Sequence, residues 1–186
     1  MHTHAPNQDA PGDLEIVRDF VNSWFIPNDI RIANDTFADA QGIEHFKRTH
    51  FSQTLSPTDP YEIIQLRDDL RAILGTHDEH GTIDSWLLKH PVIALVEQDA
   101  GGQSIVRYAA HDAESLCGVL LAIVIGAIAH GEWTRLRPCR DCQWVFFDHT
   151  KNGSKVWCGM NAGGPDGRAC GTIAKVSRYR ARHKGE

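Results

Sequence analysis

No apolar stretch in this chain is long enough to cross a bilayer. The longest, Leu116 to Ala129, holds 14 residues, against about 20 for a spanning helix. It reads as a buried helix, and no membrane partner is expected. The opening residues, MHTHAPNQDAPGD, are polar and lack an apolar h-region, so no secretory leader is expected and the setting reads as cytoplasmic. The sequence also lacks a phosphate loop, a dinucleotide fingerprint and any Ser/His/Asp or Cys/His nucleophile arrangement, so an enzyme is not expected. No internal repeat or low-complexity tract appears. Cysteine is scarce, with five in 186 residues, yet four of the five fall between positions 139 and 170. In a cytosolic chain such clustering favours a metal over disulfides. The fifth, Cys117, lies inside the apolar run and reads as a small core residue.

What is present supports a folded chain: hydrophobic residues make up 41% of it, enough for a buried core. The net charge of −5 conceals an asymmetry. Residues 134–186 carry eleven Lys/Arg against four acids (+7), and residues 1–133 carry eight against twenty (−12). A basic tail on an acidic body suggests a polyanion or an acidic surface as the tail's partner, or attraction between the two halves.

Read along the chain, residues 1–12 form a flexible terminus. Leu14, Val17, Val21, Trp24 and Phe25 recur at helical spacing, predicting a helix over 14–25 stopped before Pro27. Residues 29–46 are ambiguous, with a short helix from Asp35 to Ala40 and Gly42 as a break. Ser56–Pro60 is a turn that feeds a helix from Tyr61 to Leu74, ended by Gly75. A short helix over 82–89 follows. Val92–Glu97 and Ser104–Ala109 then read as a hairpin turning at Asp99-Ala100-Gly101-Gly102. A central helix spans about 112–131. The fold class expected is a mainly α domain over 13–134 with one small β-hairpin. A zinc-ribbon-like finger, a β-hairpin followed by a helix, occupies 135–186.

The chemistry concentrates in that tail. Cys139-x2-Cys142 can wrap a knuckle around a metal. Trp144–Asp148 and Lys155–Trp157 read as strands of a hairpin through Lys151-Asn152-Gly153 that returns Cys158 to the first pair, and Cys170 completes a tetrahedron. Four thiolates select zinc and leave no coordination position for water, so one structural Zn²⁺ is expected, held by Cys139, Cys142, Cys158 and Cys170. The gap of eleven residues between Cys158 and Cys170 is longer than a symmetric ribbon's knuckle. It leaves His149 and His183 as alternative ligands, though both read as surface residues.

Arg135-Leu136-Arg137-Pro138-Cys139, Cys142-Gln143-Trp144-Val145-Phe146-Phe147-Asp148 and Trp157-Cys158-Gly159-Met160 resemble the CGNR-type zinc finger. That finger follows an ABATE domain in a family of bacterial stress-induced transcription regulators. Asp19-Phe20-Val21-Asn22-Ser23 is similar to the family's N-terminal element, and Leu66–Arg71 to its first strong helix. The resemblance implies zinc binding and, as an inference from the finger, DNA binding. One departure stands out: the namesake Cys-Gly-Asn-Arg is here Cys170-Gly171-Thr172-Ile173, set apart by a glycine-rich insertion over 162–169. The cysteine and glycine survive, and the Asn-Arg pair does not.

After Cys170 the pattern predicts a helix over 172–183. Lys175, Arg178 and Arg182 share one face, Arg180 and Lys184 another, and Tyr179 offers a stacking ring. These six are the candidate DNA- or RNA-binding residues; the alternative is a solvated helix whose cations suit its dipole. In the helical domain Asp19, Asn22 and Arg67 either line a pocket for a small-molecule or protein partner or brace the core as a buried polar network. His77, Asp78 and His80 form a weak cluster that reads as a solvated loop. Three function classes follow: a regulator with a nucleic-acid-binding finger, a protein-interaction module, or an enzyme with its site in the helical part.

Overall fold

The computed structural model describes residues 8–27, 30–76, 81–159 and 169–182. Among these residues the chain forms six α-helices and three two-stranded antiparallel sheets. The helices are α1 (Leu14–Val21), α2 (Ala40–His50), α3 (Pro60–Thr76), α4 (Thr82–Lys89), α5 (Leu116–Ala129) and α6 (Cys170–Arg182). Strands β1 (Trp24–Phe25) and β2 (Asn34–Asp35) pair with each other, as do β3 (Val92–Gln98) and β4 (Ser104–Ala110), and β5 (Leu136–Pro138) and β6 (Val145–Phe147). The helical body, its hairpin, and a cysteine-bearing hairpin followed by a helix are the architecture the sequence predicts.

The apolar helix α5 is the centre of the body. Leu116, Leu120, Leu121 and Val124 are buried on it, against Leu14, Val17 and Val21 of α1 and Ile63, Leu66 and Leu70 of α3. Ser115 caps its start, its side chain accepting from the Gly118 N–H. Gly131, at φ +72°, reverses the chain at its end. There the Gly131 N–H donates to Ile128 and the Glu132 N–H to Ala127, a Schellman closure. The β3–β4 hairpin lies on α5, and Gly118 permits the approach: a Cβ there would stand 3.1 Å from that of Ala110.

Three local expectations are corrected. The first helix ends at Val21 instead of Phe25. Asn22 and Ser23 terminate it, Arg71 Nη1 donates to the carbonyl oxygen of Val21, and Trp24–Phe25 extend to pair with β2. The second is α2, which starts at Ala40, so Asp35–Ala40 is not the helix and Gly42 is not a break. Asp35 pairs with Trp24 in β2, and Asp39 is the N-cap, accepting from the Gly42 N–H at 3.0 Å. Gly42 is glycine because of space: a Cβ would fall 1.6 Å from the carbonyl oxygen of Thr36. Gly42→Ala should therefore destabilise the protein by about 2 kcal/mol through forced displacement of the α2 start, read as a lower midpoint in urea unfolding. The third correction concerns the amino-terminal segment, expected to be loose through residue 12. From Gln8 onward it packs: Gln8 is buried, its carbonyl accepts from the Phe147 N–H at 3.0 Å, and its side chain donates to the carbonyl of Cys158.

One apolar core crosses from body to tail. Trp133, Leu136, Val145 and Phe147 belong to the same buried cluster as α1, α3 and α5. Strand alternation explains it, because Val145 and Phe147 point one way and Phe146 the other. Phe146 joins a second cluster with Cys139, Cys142, Trp144 and Cys170, against which Phe25, Trp157 and Cys158 pack. Strand β6 thus separates the body's core from the core around the cysteines.

Candidate metal centre

The four sulfurs of Cys139, Cys142, Cys158 and Cys170 lie within 4.8 Å of one another, and all four cysteines are free of disulfides. Two edges are 3.5 Å (Cys142–Cys158) and 3.6 Å (Cys158–Cys170). A tetrahedron with zinc–sulfur bonds of about 2.3 Å has edges of about 3.8 Å, so the cage fits that ion. The thiol chemistry agrees. Without a cation, Cys139 is driven toward thiolate by hydrogen bonds from the other three sulfurs, while Cys142 and Cys158 are pushed up, first by their bonding to Cys139 and then by burial. A divalent cation reverses that penalty and deprotonates all four. Phe25, Trp144, Phe146 and Trp157 surround the cage, so with four sulfur ligands the role is structural.

The knuckle itself is the turn of the β5–β6 hairpin. Its register pairs Leu136 with Phe147, Arg137 with Phe146 and Pro138 with Val145. The Cys139 N–H donates to Trp144 and the Gln143 N–H to Cys139, and Gln143 adopts φ +60° to close the loop. This corrects the expected pairing of 144–148 with 155–157. Asp148 is the physical reason. Fully buried, it accepts from the Thr150 N–H (2.9 Å), the Thr150 hydroxyl (2.6 Å) and the Lys155 N–H (2.8 Å), folding 148–155 into a compact loop. Burial works against its charge, but those bonds outweigh it and hold the carboxyl below the usual range. The following segment still ties back, with the Arg140 N–H donating to Val156 at 3.2 Å. His149 points away from the cage to the carbonyl of Asp9 at 2.8 Å. His183 and most of the insertion lie outside the described residues.

The three polar residues singled out in the helical part are engaged in separate protein contacts. Asn22 uses both ends of its amide on β6: Nδ2 donates to the Val145 carbonyl (2.8 Å) and Oδ1 accepts from the Val145 N–H (2.7 Å). Arg67, buried beneath Phe37, makes a two-pronged ion pair with Asp35 at 2.6 and 3.1 Å and also reaches Asp68. Asp19 faces Arg18 at 3.4 Å and His50 at 3.6 Å, and burial pushes its carboxyl up. Each of the three is thus held by other parts of the protein, Asn22 and Arg67 buried and Asp19 partly exposed.

Arg71, at the end of the Leu66–Arg71 segment, joins body to knuckle. Its Nη1 donates to Val21 at 2.6 Å, its Nη2 to Gln143 at 2.8 Å, and its guanidinium lies 4.7 Å from the centre of the Trp24 ring. Burial, with Arg67 nearby, pushes its pKa down to about 10. Nothing in helical periodicity distinguishes it from the solvated arginines of other helices.

A second group, Glu62, His90 and Cys117, also brings its donor atoms within 4.8 Å of one another. Glu62 is already ion-paired with Lys89 and hydrogen-bonded to His90 at 2.9 Å, and the Ser115 hydroxyl meets His90 Nδ1 at 3.2 Å. Burial pushes the Cys117 thiol up to about 12, so it stays protonated at neutral pH. Cys117→Ala should leave the zinc content unchanged at one per chain, as measured by elemental analysis.

On α6, Lys175, Val176, Tyr179 and Arg180 are exposed. Arg178 and Arg182 lie on the same helix, but their side chains, like Lys184 and the His77–His80 loop, fall outside the described residues. Since α6 starts at Cys170 and the Gly171 N–H donates to Gly159 at 3.0 Å, the metal cage fixes the root of this basic helix.

No curated protein matches the chain. The family model that does match, over residues 135–183, is described as the CGNR zinc finger. That span takes in all four cage cysteines and α6, so the carboxy-terminal part of this chain is a CGNR zinc finger.

Proposed function

We propose that this chain is a transcription regulator of the nucleic-acid-binding kind, with its zinc finger on DNA or RNA and its acidic helical part responding to a ligand or protein partner. The observation that carries the reading is the rooting of basic α6 in the metal cage at Cys170. A helix held at one end by zinc can lay its cations along phosphates with little loss of side-chain and chain entropy on binding. Lys175 and Tyr179 stand one turn apart, pairing a phosphate-binding cation with a ring for stacking. Arg178, Arg180, Arg182 and Lys184 extend the charge. Thr172 and Ile173 replace the Asn-Arg that the resemblance leads one to expect, so binding is weak in sequence preference and phosphate-driven. The acidic body at −12 opposes binding at low ionic strength through long-range repulsion. Zinc takes no catalytic part, and the chain works in the cytoplasm.

Exposed Val176 beside the cations favours a second reading, in which α6 docks on an acidic protein surface. Salt-dependent binding of the full-length protein to a random duplex separates the two. With three to five phosphates neutralised, the slope of log K against log salt is on the order of −3 to −4.5. Affinity should then fall by about 60- to 500-fold between 50 and 200 mM salt. Absence of any shift of DNA or RNA at low salt would leave the protein-docking reading standing.

A further inference from the structure

A second concentration of positive charge lies at the zinc knuckle, apart from α6 in sequence. A cleft of about 300 Å³ is walled by apolar Leu74, Pro138 and Val156 and carries Arg137, Arg140 and Lys155. The three cations come from three segments: β5, the turn between Cys139 and Cys142, and the loop that Asp148 closes. Among the described residues no carboxylate lines the cleft. Asp148, which already accepts three hydrogen bonds, stands 4.0 Å from Arg137 Nε, and that nitrogen has no hydrogen-bond acceptor among the described residues. Arg140 and Lys155 have no carboxylate partner among the described residues. Gln143 completes the lining, its carbonyl held from behind by Arg71.

The geometry points to a phosphate-binding cleft formed by Arg137, Arg140 and Lys155 on the zinc knuckle, which grips a nucleic-acid backbone phosphate beyond those reached by α6. The proposal rests on the nucleic-acid reading of the finger. Two guanidinium forks and one ammonium match a tetrahedral anion, and apolar walls strengthen each contact by limiting solvent screening. Position is fixed by the metal, since Arg140 lies between two zinc ligands and its N–H is bonded to Val156, next to Lys155. The same cage roots α6 at Cys170, so one ion sets both cationic surfaces in register. A free phosphate ester would satisfy the same chemistry.

The test uses zinc-loaded full-length protein, a random 20-base-pair duplex followed by fluorescence anisotropy, and inorganic phosphate followed by phosphorus NMR line broadening. Arg140→Ala combined with Lys155→Met removes two cations, among them the Lys155 ammonium that lies 5.0 Å from the centre of the Phe146 ring, and zinc content reports folding. Duplex affinity at 0.1 M salt should drop about tenfold and the salt slope should flatten by about one unit, as for one lost phosphate contact. Arg140→Lys, which keeps the charge, should retain the slope. If the double variant binds duplex as the parent does while Lys175→Ala with Arg180→Ala loses binding, the cleft is refuted and the nucleic-acid reading stands. If the parent binds no duplex, that reading falls. Phosphate broadening abolished by the double variant would then still support the cleft, as a site for free phosphate, and no broadening with the parent would overturn it as well.

Discussion

Withdrawing zinc with a strong chelator should unfold the finger and lower the thermal midpoint of the helical body with it. Structural zinc contributes about 10–16 kcal/mol to the folding of small finger peptides, and the cage core here has little else: Trp144, Phe146, Trp157 and Phe25 around four sulfurs. The loss should spread, because Leu136, Val145 and Phe147 belong to the body's own core and would be withdrawn from it. Four thiols should become reactive to a thiol reagent, with Cys117 following only on global unfolding. Cys158→Ser should reproduce the effect in milder form by removing one ligand. A body midpoint indifferent to the chelator would show that the two cores fold independently.

Asn22→Ala should cost about 3–4 kcal/mol, the second largest effect expected of any change considered. The amide of Asn22 acts as a short extra strand on β6, satisfying both backbone groups of Val145. Its loss leaves a buried N–H and a buried carbonyl without partners at about 1–3 kcal/mol each. Asn22→Asp should be at least as damaging, since it removes the donor and buries a charge beside Val145. Because Val145 is three residues from Cys142, zinc should also dissociate faster from both variants, measurable by transfer to a chromophoric chelator. An Asn22→Ala protein with parental stability and zinc retention would show that water replaces the amide without cost.

The elements legible in the sequence were those whose signal is local. The stripe of α3, the Gly-Gly turn of the β3–β4 hairpin and the apolar α5 each declare themselves within a dozen residues. The four zinc ligands did so too, because thiols that close together in so small a core have few other uses. What escaped was set by tertiary contact. Trp24 and Phe25 continue a helical stripe, yet the chain leaves the helix at Asn22 because that side chain bonds better to β6. Gly42 resembles a breaker, but its role is to let the Thr36 carbonyl approach. The finger's hairpin formed around the knuckle because buried Asp148 gathers Thr150 and Lys155 into a loop, and a carboxylate's burial is invisible in composition. Arg71, Arg137 and Arg140 likewise carried no periodic mark; their meaning lies in which cleft or carbonyl they meet.

The most direct check on the central claim, a closed structural zinc cage joining the two cores, is zinc X-ray absorption on gently purified full-length protein. One zinc per chain is expected, with four sulfur neighbours at about 2.3 Å and none of oxygen or nitrogen. A first shell containing oxygen or nitrogen, or a sulfur count of three or fewer, would contradict it.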